Sequence, residues 1–433
     1  MSLMALVIAG SLLAGCGRQA SMFAKQYDAS VATEWFDLYL ELVQNTPGFT
    51  PPVAARAFGY AGVTLYEAIV PGMPEYQSLA GQLNELPELP QPESGVEYHW
   101  PTVANSALAG VTRQLFANAA TEGRAAIDAL EERFASQFGA TLDPAVFKRS
   151  AARGQAVADA VFSWSMADGG HEGYLANFPS DFSPIAGPGK WIPTPPKFSN
   201  CMLPHWGANR PFVLESGKAC APGAPPPYSE YPASGFFAQA KEVYDTVSQL
   251  TPEQMEIATF WADNAGETAT PPGHSISIAS QVLKEKRASL AEAAETYAKV
   301  GIAVADAFIA CWNTKYEYSL LRPVSYIQQV IDPSWTSPIV TPPFPEYTSG
   351  HSVQSAAAAQ VLTDLFGDSY AFADHTHDAR GLAPRTFESF FGAADEAAIS
   401  RLYGGIHFRA AIENGLEQGK CIGQKVSAIE FRK

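Results

Sequence analysis

Apolar residues recur at helical spacing along almost the whole chain. Residues 31–44 carry Trp35, Leu38, Tyr39 and Leu42 on one stripe, a period that gathers them on one face only in a helix. The same periodicity predicts helices over 52–70, 101–118, 121–138 and 144–166. Pro101 and Pro144 would sit in first turns, where a missing N–H costs nothing. From 167 to 231 the texture breaks into Gly- and Pro-rich runs such as PIAGPGKWIPTPPKF and CAPGAPPPYSEYP. So long an irregular excursion in a compact protein is usually a lid or a pocket wall. Its Leu203-Pro204-His205-Trp206-Gly207 and Arg210-Pro211-Phe212 fit either a pocket wall or packing around Trp206.

Helical periodicity returns near Ser234 and predicts further helices over 252–263, 275–286, 289–316, 349–366, 395–401 and 409–431. A loop over 333–347 carries five prolines. Strand signals are sparse, so the expected fold is all-α: two packed helical bundles with long Pro/Gly-rich loops. The first bundle and its long loop would span 30–230 and the second 231–433.

The net charge of −16 repels nucleic acid and anionic membrane surfaces and argues against both as partners. An anionic substrate would therefore need a local cluster of Lys and Arg set against the global field. At the N-terminus an apolar run over 3–13, too short to span a bilayer, fits the h-region of a secretory signal, although no charged n-region precedes it. Leu13-Ala14-Gly15-Cys16 resembles the lipobox of bacterial lipoproteins. The expectation is a signal peptide over 1–15, a linker over 16–29, and a lipid anchor at Cys16 that holds the protein on the periplasmic or extracellular face of a bacterial envelope. Among the other cysteines, Cys201 and Cys220 flank a Pro-rich loop and could close a disulfide; Cys311 and Cys421 could pair or be small buried hydrophobes.

Three short segments carry chemistry. In the first, Lys315 and Arg322 are two helical turns apart, so on one helix they share a face, and Pro323 would end that helix. Alone, this pair reads better as a solvated stripe. In the second, Ser349 is a natural N-cap; the first N–H groups of the following helix attract an anion, Gly350 admits close approach, and His351 stands beside it. In the third, Gly404-Gly405 can bend the chain so that Arg401 and His407 reach one point.

Together the three segments resemble the vanadium-dependent haloperoxidase and type 2 phosphatidic acid phosphatase superfamily. Its pattern is Lys, six residues, Arg-Pro; then Pro-Ser-Gly-His; then Ser-Arg, five residues, His, three residues, Asp. Lys315 to Arg322, Ser349 to His351 and Arg401 to His407 match. The runs TPGFTPPVAARAFGY, LPHWG, TPPGH and FPEYTSGHS resemble the bacterial secreted branch. Two positions depart from the pattern: Thr348 replaces the Pro, and Ala411 stands where an Asp would orient the ligating His. Glu413 would leave the helix at the wrong angle to substitute.

The resemblance implies vanadate as cofactor, held by Lys315, Arg322, Ser349, Gly350 and Arg401, with His407 as the metal ligand. His351 would be the acid–base group, and Lys315 would polarise the bound oxidant. Hydrogen peroxide would oxidise iodide or bromide to hypohalous acid, which passes halogen to a small organic acceptor. The same pocket would serve a soluble acid phosphatase working through a phosphohistidine, and a non-catalytic oxyanion-binding lipoprotein is a third reading. His274 is a loose candidate for the pocket lining, and His375 and His377 are expected in a solvated polar loop; His99, His171 and His205 have no evident partner.

Overall fold

The computed structural model describes residues 22–433. The signal-peptide and Cys16 expectations lie outside them. Thirteen α-helices, five single-turn 3-10 helices and one two-stranded sheet account for the regular structure among the described residues, so the all-α expectation holds. The first five helices are α1 (Ser30–Asn45), α2 (Pro51–Ile69), α3 (Trp100–Leu115), α4 (Thr121–Gly139) and α5 (Pro144–Ser165). Then come α6 (Gly235–Ser248), α7 (Pro252–Phe260), α8 (Thr270–Glu285) and α9 (Leu290–Tyr318). The last four are α10 (Pro323–Val330), α11 (Gly350–Phe366), α12 (Phe390–Tyr403) and α13 (Arg409–Ser427). Strands β1 (Phe372–Asp374) and β2 (Arg385–Phe387) form a short antiparallel hairpin that pairs Phe372 with Phe387. No helix among the described residues is long and apolar enough to cross a membrane.

The 29-residue α9 is the spine. Ser289 and Glu292 close a capping box at its start, which satisfies end N–H groups that would otherwise be orphaned. Small residues let other helices reach it: a Cβ on Gly62 of α2 would stand 2.4 Å from the Tyr297 carbonyl of α9. The same device joins α13 to α11, where a Cβ on Gly419 would stand 2.1 Å from the Val353 carbonyl. Both approaches require glycine, because nothing larger than hydrogen fits at those distances. Stacked rings fill the interior beside α9, with Phe36 and Tyr297 centroids 3.7 Å apart. A second, smaller apolar cluster, containing Phe236, Tyr326, Leu402, Phe408 and Ala411, lies beneath α6, α10, α12 and α13. Within the segment expected as a linker, Ala24 is buried, and the Tyr27 carbonyl accepts from Leu290 N–H at 2.9 Å.

The structure corrects several local expectations. Lys315 and Arg322 do not share a helix. The long helix ends at Tyr318, Ser319 takes a left-handed conformation (φ 49°), and Pro323 opens α10 instead of ending α9. A proline at a first helical position reads the same in sequence whether a helix stops or starts there. Helix α8 starts at Thr270, five residues before expectation, because Pro271 and Pro272 occupy its first turn. Cys220 pairs with Cys421, not with Cys201, and Cys201 and Cys311 are buried free thiols. That bond staples the Gly/Pro-rich excursion to α13. Within the excursion Trp206 is buried and Arg210 caps the Trp164 carbonyl at 2.9 Å, so the LPHWG and RPF motifs serve packing there. Phe178, Thr194, Lys197 and Met202 of the same excursion form one wall of a cavity.

Candidate active site

At the end of α9 Lys315 is fully buried, and its ammonium donates to the carbonyls of Pro345 and Glu346 at 3.0 Å each, and to that of Thr348. The five-proline loop therefore wraps the ammonium with its backbone dipoles. Burial pulls the Lys315 ammonium down to about 8. Arg322, the N-cap residue of α10, reaches the same loop from the other side: Nε donates to the Phe344 carbonyl and Nη1 to the Ile406 carbonyl, both at 2.9 Å. Both cations lie over the Phe344 ring, at 5.1 and 4.9 Å from its centroid.

Ser349 caps α11 as expected, its Oγ accepting from Ser352 N–H at 3.3 Å. That leaves the hydroxyl proton free to donate. Gly350 and His351 open the helix onto the cavity. A Cβ on Gly350 would meet only Phe308 and Trp312, at ordinary distances of 3.8 and 3.9 Å, so packing does not demand this glycine. Arg401, buried on α12, donates to Ser400 Oγ at 2.9 Å and to the Ala258 carbonyl at 3.3 Å. Gly404 caps α12 and Gly405 adopts φ 71°, which turns the chain and brings His407 back beside Arg322.

The partner missing at position 411 is Glu346. His407 Nδ1 lies 2.8 Å from Glu346 Oε1, and Phe408 N–H donates to the same oxygen at 2.8 Å. A carboxylate can only accept from Nδ1, so this bond puts the ring proton there. His407 Nε2 then keeps its lone pair, 3.2 Å from Arg322 Nη1. Ala411 itself sits in the apolar cluster, and its carbonyl accepts from Ser349 N–H at 3.0 Å. Glu413 faces solvent and lies 3.6 Å from Arg409, as its helix angle predicts.

All three sequence segments thus converge. Burial holds the His407 imidazolium well below its ordinary range, and the charges of Arg322, Lys315, Arg401 and His351 push the same way. Burial likewise holds His351 low, with Arg401 adding to it and Asp263 opposing. Burial pulls both Arg322 and Arg401 down to about 10.

Three buried cations against one buried carboxylate, Glu346, and two neutral imidazoles are still short of negative charge, and a buried uncompensated charge is costly. Arg322 Nη2 and His351 Nε2 are also buried without a hydrogen-bond partner. A small oxyanion would satisfy both deficits: its charge compensates, its oxygens accept from Arg322 Nη2, and a hydroxyl on it can donate to the His351 Nε2 lone pair. The donor set therefore fits vanadate or phosphate.

Behind the cavity wall lies a second polar cluster. His274 does not line the cavity; its Nδ1 is 2.8 Å from Asp263 Oδ2 and its Nε2 2.7 Å from Asp374 Oδ2. Asp263 does line it. His377 corrects the expectation of a solvated loop: the β1–β2 hairpin folds it inward, 2 % exposed, against the Phe260 ring. His375 stays outside, paired with Asp378. Asp263, His274 and His377 bring candidate ligand atoms within 4.8 Å of one another. Two carboxylates on one ring make His274 an imidazolium, however, and an imidazolium has no lone pair for a metal.

Comparison with known proteins agrees with this geometry. The family described as the VCPO second helical-bundle domain matches residues 295–432. The crystal structure of a bacterial vanadium-dependent iodoperoxidase superposes with a TM-score of 0.85 at 39% identity, over 93% of this chain and 96% of that one. Holo and apo forms of a bacterial vanadium-dependent chloroperoxidase superpose with TM-scores of 0.69 and 0.68 at 16% identity. They cover 89% and 94% of this chain, and 92% and 98% of their own, and share its fold. No curated protein sequence matches the chain. With its three cationic segments gathered around one anion-shaped deficit, and with that identity sustained over nearly its full length, the chain belongs to the vanadium-dependent haloperoxidase family.

Proposed function

We propose that the protein is a vanadium-dependent haloperoxidase that uses hydrogen peroxide to oxidise iodide or bromide to hypohalous acid. The observation that carries the reading is the orientation of His407: Glu346 accepts from Nδ1–H, and the Nε2 lone pair faces the buried cations. His407 is the metal ligand in this reading. Lys315, Arg322, Arg401, Ser349 and the Gly350 N–H hold the vanadate oxygens. When bound, vanadate supplies Lewis-acid activation of peroxide without changing oxidation state. Lys315 would polarise the oxidant. His351, neutral and with Nε2 unpartnered, would accept a proton from hydrogen peroxide. The 39%-identical structural relative is an iodoperoxidase, which supports halide oxidation over phosphate-ester hydrolysis.

The protein is further proposed to reside in an oxidising bacterial envelope, anchored by acylation of Cys16. The Cys220–Cys421 bond supports an oxidising compartment. Mass spectrometry of the mature N-terminus tests the anchor, and an unmodified Cys16 rejects it. For activity, metal-free protein is loaded with vanadate and assayed for peroxide-dependent oxidation of iodide and bromide, beside hydrolysis of a phosphomonoester. Vanadate-dependent halide oxidation is expected; vanadate-inhibited hydrolysis without it, or vanadate uptake with neither reaction, rejects the peroxidase reading.

A further inference from the structure

His351 and His407 line a cavity of about 440 Å³, and in the peroxidase reading hypohalous acid is made there. That oxidant is about as large as one or two waters, which occupy about 30 Å³ apiece in the liquid, so it meets the walls before it leaves. Among the described residues that line the cavity, Met202 carries the one sulfur. Its backbone is tied to the oxyanion site on both sides. The Met202 N–H donates to the Pro343 carbonyl at 2.9 Å, and the next residue, Phe344, lays its ring over Lys315 and Arg322. The Met202 carbonyl accepts from Trp312 Nε1 at 3.2 Å and from the Tyr316 hydroxyl at 2.5 Å, two residues of α9 that flank Lys315. Yet Met202 is only 8% exposed. A thioether that bulk solvent scarcely reaches thus stands in the wall of the chamber where an oxidant would form.

We propose that Met202 is a modification site of this protein, at which hypohalous acid made in the cavity oxidises the thioether to the sulfoxide. The proposal rests on the peroxidase reading for its oxidant. The thioether sulfur keeps a polarisable lone pair that no proton masks at any ordinary pH. It attacks the halogen of HO–X: an S–X bond forms, the O–X bond breaks, and hydroxide leaves. Water then bonds to sulfur through oxygen while the S–X bond breaks and halide departs with the electron pair. Water gives up two protons, one of which neutralises the hydroxide. Sulfur loses two electrons and the halogen, formally +1, gains them. The halide is regenerated, and Met202 retains one oxygen. Its neighbour Cys201 is a poorer target: it is 3% exposed, it does not line the cavity, and burial pushes its thiol up, away from the reactive thiolate. The sulfoxide converts a flexible apolar side chain of the wall into a polar one, a change that methionine sulfoxide reductases undo.

The order in which methionines react separates oxidation inside the cavity from attack by oxidant in bulk solution. Met166 and Met255 are 47% and 39% exposed. Susceptibility follows exposure, so reagent hypoiodous acid added to the solution should modify them about fivefold faster than Met202. The vanadate-loaded full chain is turned over with peroxide and iodide, and a second sample receives the same total of reagent hypoiodous acid slowly. Peptide mass spectrometry then gives the sulfoxide fraction at each methionine. In turnover the order should invert, with Met202 ahead of both exposed residues. Peroxide without iodide should leave Met202 unmodified. In Met202→Leu, close in volume and free of sulfur, the peptide spanning 201 and 202 should gain no oxygen. Four results overturn the proposal: Met166 and Met255 leading in turnover, bulk reagent reaching Met202 first, oxidation of Met202 by peroxide alone, or oxygen persisting in the variant peptide and so sitting on Cys201. Triiodide formation intact beside any of them shows that only this inference has failed. Absence of both triiodide and sulfoxide overturns it together with the peroxidase reading.

Discussion

Glu346→Gln separates charge from position at the residue that orients His407. The amide oxygen can occupy the place of Oε1 and keep both acceptor contacts, to His407 Nδ1 and Phe408 N–H, each now 2.8 Å. Phe408 N–H disfavours the flipped amide, which would set donor against donor. Burial raises the Glu346 carboxyl to about 7, so above that pH what disappears is one negative charge, and two effects of opposite sign follow. Removing a carboxylate near a bound anion favours that anion; at a separation of about 8 Å and an effective dielectric of about 20, a unit charge is worth about 2 kcal/mol. Against this, His407 loses the charged partner that makes Nε2 a strong ligand, and loss of such partners typically weakens metal affinity about 10- to 100-fold. The first effect acts on vanadate and phosphate alike. The second acts only on an anion that bonds to Nε2.

The preference for vanadate over phosphate should therefore fall about 10- to 100-fold, or about 1.4–2.7 kcal/mol, whatever happens to either affinity alone. Competitive equilibrium dialysis with both anions, before and after the substitution, measures the ratio directly. An unchanged ratio would refute both the role of Glu346 and the assignment of Nε2 as the ligand atom.

Four further outcomes are expected. Because burial sets the Lys315 ammonium at about 8, phosphate affinity measured calorimetrically should decline as pH rises through that value, and Lys315→Met should remove the decline. Burial alone pushes His274 down, but Asp374 and Asp263 pull it up to about 10. Its stabilising contribution is thus full below pH 6.5 and lost as pH climbs through 10, so urea midpoints should fall across that window in wild type and much less in His274→Asn. Cys220→Ala opens a link between residues 201 apart, and thermal unfolding should show a loss approaching 5 kcal/mol, about the chain-entropy worth of so long a loop. Asp306 is fully buried on α9 and accepts the N–H groups of Phe212, Val213 and Leu214 at 2.6, 2.9 and 3.1 Å. Asp306→Ala orphans all three and should cost more than about 3 kcal/mol by chemical denaturation; a loss below about 1 kcal/mol would mean the loop finds other acceptors.

Helix positions were readable because each depends on neighbours within one or two turns. The starts of α3 and α5 came from Pro101 and Pro144, and the cap of α11 from Ser349, since an N-cap or first-turn proline acts on its own turn. The seven residues of the candidate site can be named because their spacing is itself a pattern. Glu346 stands inside a recognised segment, but nothing in its neighbours assigns it a role. No local signal distinguishes a carboxylate that will meet an imidazole 61 residues away from one in a solvated loop. A carboxylate in the segment before the Ser-Gly-His run, once Ala411 excluded the usual partner, was the available clue.

The amino-acid order by itself determined which stretches become helices and which side chains form the cationic set, because local sterics and hydrogen bonding act over a few residues. Tertiary packing decided the rest: that Arg322 answers Lys315 from a separate helix, that Glu346 stands in for the carboxylate absent at 411, that Cys220 finds Cys421, and that His377 turns inward. Each of these is a meeting of distant positions. It is set by which apolar faces bury one another and by how closely glycines such as Gly62 and Gly419 let the helices approach, quantities that no window of neighbouring residues contains.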